Sequence, residues 1–181
     1  DIFAKSSGTW PSSVSSDSRG TIEYAISHPM TFITANENNS DWYYVTDNTR
    51  WTTSDEPKSI YDPCPVGWRV PDGGANGVWS KSLGSSSFFT NSSLYNSTNE
   101  GMNFSGKFGS ASTIWYPASG FRHYGDYGDG GLYCVGNSGF YWSASPDSYC
   151  AYALSFSDSG RVYPSSTYGL AGGASVRCLQ E

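Results

Sequence analysis

Tyr61-Asp62-Pro63-Cys64-Pro65-Val66-Gly67-Trp68-Arg69-Val70-Pro71 is the most heavily punctuated stretch of the chain. Its prolines and glycine forbid regular structure, because proline fixes φ and has no N–H to donate to a ladder. The stretch reads as a rigid turn, with Cys64 as a means of anchoring it. Four cysteines, Cys64, Cys134, Cys150 and Cys178, permit three pairings. They include no C-x-x-C and the two His lie far apart, which argues against a zinc site. The best pairing joins Cys64 to Cys178 and ties the middle of the chain to its C-terminal strand. A loop of that length gains ~4–5 kcal/mol in the chain-entropy treatment. Cys134 and Cys150 remain open, as a pair or as single thiols. Disulfide use fits an extracellular setting.

Working outward, residues 1–20 are Ser/Gly-rich loop. Residues 21–28 place Ile22, Ala25 and Ile26 at helical spacing, although Ile22, Tyr24 and Ile26 also alternate. Thr21 as N-cap and Pro29 as a stop favour a short helix. Residues 31–34 and 42–45 are strand-like. Beyond the turn, residues 76–83 read as a second short helix with Val78, Trp79 and Leu83 on one face and Gly84 after it. Residues 84–105 are polar, and their sequons at Asn91, Asn96 and Asn103 read as accidents of an Asn/Ser-rich stretch. Strand candidates follow at 114–121, 139–145, 151–156 and 175–179. In the third, Tyr152, Leu154 and Phe156 alternate with Ala153, Ser155 and Ser157, so one face is expected to be core and the other small and wet. Aliphatic residues are sparse, so Trp10, Trp42, Trp51, Trp68, Trp79, Trp115 and Trp142 are expected to supply the core. The length suits a single domain, residues 1–181.

Residues 116–175 use a restricted alphabet: 9 Tyr, 11 Ser and 11 Gly, with no Lys, Glu, Gln or Met. The preceding 115 residues contain four Lys, four Glu and two Met, so the gap is local. Tyr, Ser, Gly and Asn with a few Asp and Arg is the composition of an antibody paratope. None of the missing types has a codon ending in a pyrimidine, so a surface written in NNC and NNT codons would look like this. A loopy Gly/Ser-rich β domain with a chance gap gives the same composition. Tyr124, Tyr127, Tyr133, Tyr149, Tyr163 and Tyr168 sit among Gly, Ser and Asp, and exposure with contact is favoured for them over packing.

A net charge of −6 and a pI near 4.7 argue against nucleic acid as a partner. No apolar run approaches the ~18 residues of a membrane span, so direct membrane insertion is not expected. No signal peptide is visible, and Asp1-Ile2-Phe3 reads as the start of a mature or trimmed chain. The chain carries no nucleophile elbow, phosphate loop or metal-ligand spacing, so no catalytic residue, cofactor or metal is assigned. Asp126 and Asp129 do not match a calcium loop and read as turn formers. His28 reads as a cap or core residue, and His123 as a contact residue.

The turn at 61–71 resembles the hallmark of the Fibrobacter succinogenes major paralogous domain, widespread in secreted proteins of gut Bacteroidetes. Tyr141-Trp142-Ser143-Ala144-Ser145 and Ser175-Val176-Arg177-Cys178-Leu179 resemble its closing signature. From Trp115 onward the chain is similar to variable proteins of diversity-generating retroelements, in which template adenines are mutated during reverse transcription. Asn codons of the AAY type then become NNY codons, which would account for the missing residue types. The resemblance implies an α+β, C-type lectin-like fold with two short helices, antiparallel strands and extensive loops. Within it, residues 116–175 would be the diversified ligand-binding region.

Carried over position by position, the ligand-binding set begins with His123, Tyr124, Asp126 and Tyr127. It continues with Tyr133, Cys134, Asn137 and Phe140 before the fixed Tyr141-Trp142. Beyond come Asp147, Tyr149, Cys150, Ala153, Ser155 and Ser157, then Asp158, Ser159, Arg161 and Tyr163. The implied function is a non-enzymatic receptor-binding domain of an adhesin or phage tail fibre. It would act outside the cell, at a cell surface or on a virion, with a protein or glycan receptor as partner. A fixed structural module of a secreted or pilus-like assembly is the alternative. Calcium-dependent sugar binding and formylglycine-type catalysis stand last: the lectin motifs are missing, and Cys134 and Cys150 fall at diversified positions.

Overall fold

The computed structural model describes residues 12–15, 20–35, 40–105, 113–124 and 130–181. Trp10, Asp126, Tyr127 and Asp129 lie outside the described residues. A parallel pair, β1 (Ser12–Ser15) and β2 (Thr31–Thr34), brackets helix α1 (Ile22–Ser27). Thr21 caps α1 by accepting the Tyr24 N–H at 3.1 Å, and His28 closes it. Residues 42–45 form bends and not the expected strand. Asp41 is the reason: its carboxylate accepts the N–H groups of Tyr43 at 3.1 Å and Asp47 at 3.2 Å, which wraps the chain on itself. An Asx turn of this kind competes directly with extended pairing.

Asp62 organises the proline-rich turn. One carboxylate oxygen accepts the Cys64 N–H at 2.8 Å and the other the Val70 N–H at 3.0 Å. Cys64 is joined to Cys178 by a disulfide, with Cα atoms 5.7 Å apart. The turn is less irregular than its prolines imply, because Trp68–Arg69 forms β3 and pairs antiparallel with Leu179–Gln180 near the C-terminus. Helix α2 (Val78–Leu83) follows, ended by Gly84 in the left-handed region at φ 72°.

The remaining strands are β4 (Phe89–Thr90), β5 (Tyr95–Asn96), β6 (Gly101–Ser105), β7 (Thr113–Pro117), β8 (Phe121–Arg122) and β9 (Leu132–Tyr133), then β10 (Ser138–Asp147), β11 (Cys150–Ser157), β12 (Arg161–Gly169) and β13 (Leu179–Gln180). Strands β5, β6 and β7 make one antiparallel sheet, and β10, β11, β12 and β4 another, in that order. The chain is thus α+β, mostly antiparallel strands in several sheets with two short helices among the described residues.

The four-stranded sheet has two unlike faces. On one, Tyr141, Leu154, Phe156 and Val162 pack against Trp79, Met102, Phe104, Tyr116 and Ala118. The rings there meet edge to face, as in the pairs Phe104–Tyr116 at 5.2 Å and Tyr116–Tyr141 at 4.9 Å. Gly139 is glycine for want of space: a Cβ would lie 2.3 Å from the Phe156 ring. The free edge of β10 is covered by neighbouring chain, with Gly120 donating to Ser138 and Trp142 to Ser175.

Tryptophan does not supply the core as expected. Of the described tryptophans, only Trp79 and Trp142 are buried, while Trp68 is 41% exposed. Indole is large and seldom covered completely, and Met102, Leu154, Phe156 and Val162 fill the centre instead.

Candidate functional site

The other face of the same sheet is built almost wholly from the restricted segment. Residues opposite each other in antiparallel register share a face. Phe140, Ser155 and Tyr163 thus form one cross-strand row, and Trp142, Ala153 and Ser166 the next. Strand β12 carries one extra residue between Tyr163 and Ser166, and Pro164 sits in that bulge, where a missing N–H costs no ladder bond. Across the face runs a connected group of rings. Phe121 lies 4.6 Å from Phe140 and 5.4 Å from Tyr168, and Tyr168 lies 5.1 Å from Tyr124 and 5.7 Å from Trp142. His123 stacks on Tyr124 at 5.6 Å and meets Tyr133 edge-on at 5.8 Å. Gly169 is required here too, because the Tyr124 ring would come within 2.5 Å of a Cβ on it.

Of the residues carried over from the resemblance, His123, Tyr124, Tyr133 and Phe140 belong to this ring group. Tyr163 stands apart, stacked on Phe88 at 4.8 Å. Asn137, Asp158 and Ser159 are exposed at one end of β11, where the Asn137 amide donates to the Asp158 carboxylate at 2.7 Å. Ser157 and Ser159 share a hydroxyl contact of 2.8 Å beside them, and Arg161 is exposed next to this turn. Asp147, Tyr149 and Cys150 gather at the opposite end, with Tyr149 66% exposed. Cys134 is exposed on the turn before β10 and, like Cys150, is a free thiol. The set therefore spans a whole strand, about 23 Å at ~3.3 Å per residue. Asp126 and Tyr127 lie outside the described residues.

Two positions depart from the expected small, wet face. Ala153 and Ser155 are buried, at 1% and 7% exposure. Their neighbours explain it: Ser155 is flanked by Phe140 and Tyr163, and Ala153 packs with Trp142 and Ala151 against Tyr168. Small residues between large rings become the floor of the face, not its surface. Tyr168, read from its neighbours as an exposed contact residue but outside the carried-over set, is instead half-buried with its hydroxyl enclosed, and Phe121 stands outside both readings. Pro164 breaks the alternation that would have placed Tyr168 on a strand. Phe121 carried no signal beyond its type.

Burial governs the electrostatics. It pushes the Tyr168 and Tyr124 phenols up, with the neighbouring Tyr124 and Cys150 respectively adding to the effect, so both stay protonated donors. The Tyr168 hydroxyl is buried without a hydrogen-bond partner. Burial, then the Asp147 carboxylate, raises the Cys150 thiol, which keeps it in its less nucleophilic form. Among the described residues, no group of three or more His, Cys, Asp or Glu is placed to hold a metal. What this face offers is stacking surface, phenol and imidazole hydrogen bonding, and small polar groups at both rims. No known protein family, characterised protein or solved structure matches the chain.

Proposed function

We propose that this chain is a non-enzymatic ligand-binding domain of C-type lectin-like fold, the variable protein of a diversity-generating retroelement. Its binding surface is the outer face of the β10–β11–β12 sheet with the turns at both ends. The observation that carries the reading is the union of two independent features on one surface. Apart from Trp142, the rings that connect across that face, from Tyr133 through Phe140 to Tyr124 and Tyr168, belong to residue types of the pyrimidine-ended alphabet. Tyrosine there gives large contact area at low entropy cost. A rigid sheet and the Cys64–Cys178 bond hold the surface in place. The fold reading is supported by two short helices, antiparallel sheets and long connections. The domain would span residues 1–181 and act extracellularly, on an adhesin or a phage tail fibre, against a protein or glycan receptor.

The burial of Ala153 and Ser155 favours the second reading, a fixed structural module, because a buried position samples residue types poorly. Sequencing the DNA that flanks the coding region separates the two. The proposal expects a near-copy of the 3′ coding end that differs only at adenines, beside a reverse-transcriptase gene. A flank without either leaves the structural module as the better account.

A further inference from the structure

We propose that the pocket beneath α1 is a second binding site, for a small neutral aromatic amide. Helix α1 has no buried residue: Ile22 and Ala25 are half-buried, and Ile26 is 74% exposed. These three apolar side chains line a pocket of about 430 Å³. The facing walls include Trp42, Trp51 and Trp142. Trp142 apart, none of the rings grouped on the displayed face lines it. An engineered void of about 150 Å³ is enough for benzene, and natural ligand pockets begin near ~300 Å³. The volume therefore suits an aromatic ring with a short tail.

The walls disfavour a charged tail of either sign. Their charged residues are Asp41, Asp47 and Arg50. Arg50 pairs with Asp47 at 3.2 Å and lies over the Tyr43 ring at 4.0 Å. Asp47 also accepts the Thr49 N–H at 2.9 Å. Asp41 is 3% exposed and accepts two backbone N–H groups, and burial pushes its carboxyl up, toward the neutral form. An entering ammonium or carboxylate would lose its hydration and find these groups already engaged, which is costly. Two polar atoms of the lining residues are left over. Asn48 Oδ1, an acceptor, and Arg50 Nε, a donor, are buried with no hydrogen-bond partner. The other atom of the Asn48 amide, Nδ2, donates to the Ser148 carbonyl at 2.7 Å, which fixes Oδ1 as the unpaired one. Buried polar groups without partners are costly and rare. A carboxamide is a neutral group that carries both complements, an N–H for Oδ1 and a C=O for Nε. Solvent does not reach either atom, so the amide meets them through a turn of the Asn48 and Arg50 side chains at the pocket wall.

The test uses 2-phenylacetamide as the probe, with phenylacetate, 2-phenylethylamine and ethylbenzene as its anionic, cationic and amide-free counterparts. Each is titrated into the whole chain, with indole fluorescence and Tm as readouts. The amide should quench or shift the indole emission saturably and raise Tm with concentration. The three counterparts should bind about tenfold more weakly or worse. Ala25→Phe fills the space from the helix side and should weaken amide binding by about tenfold or more. Asn48→Leu removes the unpaired acceptor at similar size, so it should weaken the amide and leave ethylbenzene unchanged. Should either variant fail to fold, the comparison of ligands on the native chain decides the matter alone. No saturable response to the amide, equal affinity for any counterpart, or unchanged amide affinity in a folded Ala25→Phe chain would each overturn the proposal.

Discussion

Trp142 and Tyr168 lie with ring centroids 5.7 Å apart, and this contact joins the buried interior to the ring group of the outer face. Trp142 is 6% exposed and anchors β10, whereas Tyr168 is half-buried and carries a hydroxyl with no partner. The two should respond to substitution in opposite directions. Trp142→Ala should cost about 3–5 kcal/mol, as deletions of large buried rings do. Tyr168→Phe removes an unsatisfied buried group and should be neutral or stabilising, by up to about 1–3 kcal/mol. Urea denaturation of both variants measures the difference.

Ser155 and Tyr149 give a second contrast within the restricted segment. Ser155 is buried between Phe140 and Tyr163, so Ser155→Tyr should overpack the row and cost about 1–3 kcal/mol. Tyr149 stands on a turn at 66% exposure, and Tyr149→Ser should stay within about ±0.5 kcal/mol. Equal thermal-melt losses would contradict the division between floor and rim.

The Cys64–Cys178 bond closes a loop with a sequence separation of 114. Replacing both cysteines by alanine should lower stability by about 2–5 kcal/mol, the usual cost of losing a native disulfide. Denaturation of the double variant under non-reducing conditions is the check. An unchanged midpoint would show that the Asp62 bonds hold the turn by themselves.

Alkaline pH should loosen the core through Tyr141. Burial pushes its phenol up from 10.0 to about 12, against smaller opposing effects of Ser119 and then Arg177, with the neighbouring Tyr116 adding least. In the folded chain its hydroxyl donates to the Pro117 carbonyl at 2.7 Å, which only the protonated form can do. A pKa raised on folding contributes stability that is present in full below the unfolded value and lost as pH rises through the folded one. Stability should therefore fall between pH 10 and about 12, and Tyr141→Phe should flatten the fall in that window.

Much of this architecture could be read from the chain because local signals agreed with the tertiary outcome. Thr21 and Gly84 mark the ends of α1 and α2 by capping chemistry that needs no distant partner. Strand β11 showed itself through the alternation of Leu154 and Phe156 with small residues. Strand β12 did not, because Pro164 and three polar residues after it look like loop until the bulge opposite Ala153–Ser155 accommodates them. Residues 42–45 misled in the other direction: their β-prone rings are held in bends by Asp41. The candidate site was legible in part as a composition, which named Tyr124 and Tyr133, while Phe140 came only with the family resemblance. Its floor was not, since the burial of Ala153 and Ser155 depends on rings from neighbouring strands.

The central claim is that the outer face of the β10–β11–β12 sheet binds a receptor. The most direct measurement is binding to arrayed cell-surface proteins and glycans, comparing the native chain with a Tyr124→Ala, Tyr133→Ala, Phe140→Ala and Tyr163→Ala series. Ile60→Ala and Val66→Ala serve as controls, both highly exposed and outside the restricted segment. The account predicts that several ring variants each lose about 2 kcal/mol or more of affinity, as anchors of an interface do, while the controls bind like the native chain. Loss at Ile60 or Val66 with the ring variants silent would contradict it.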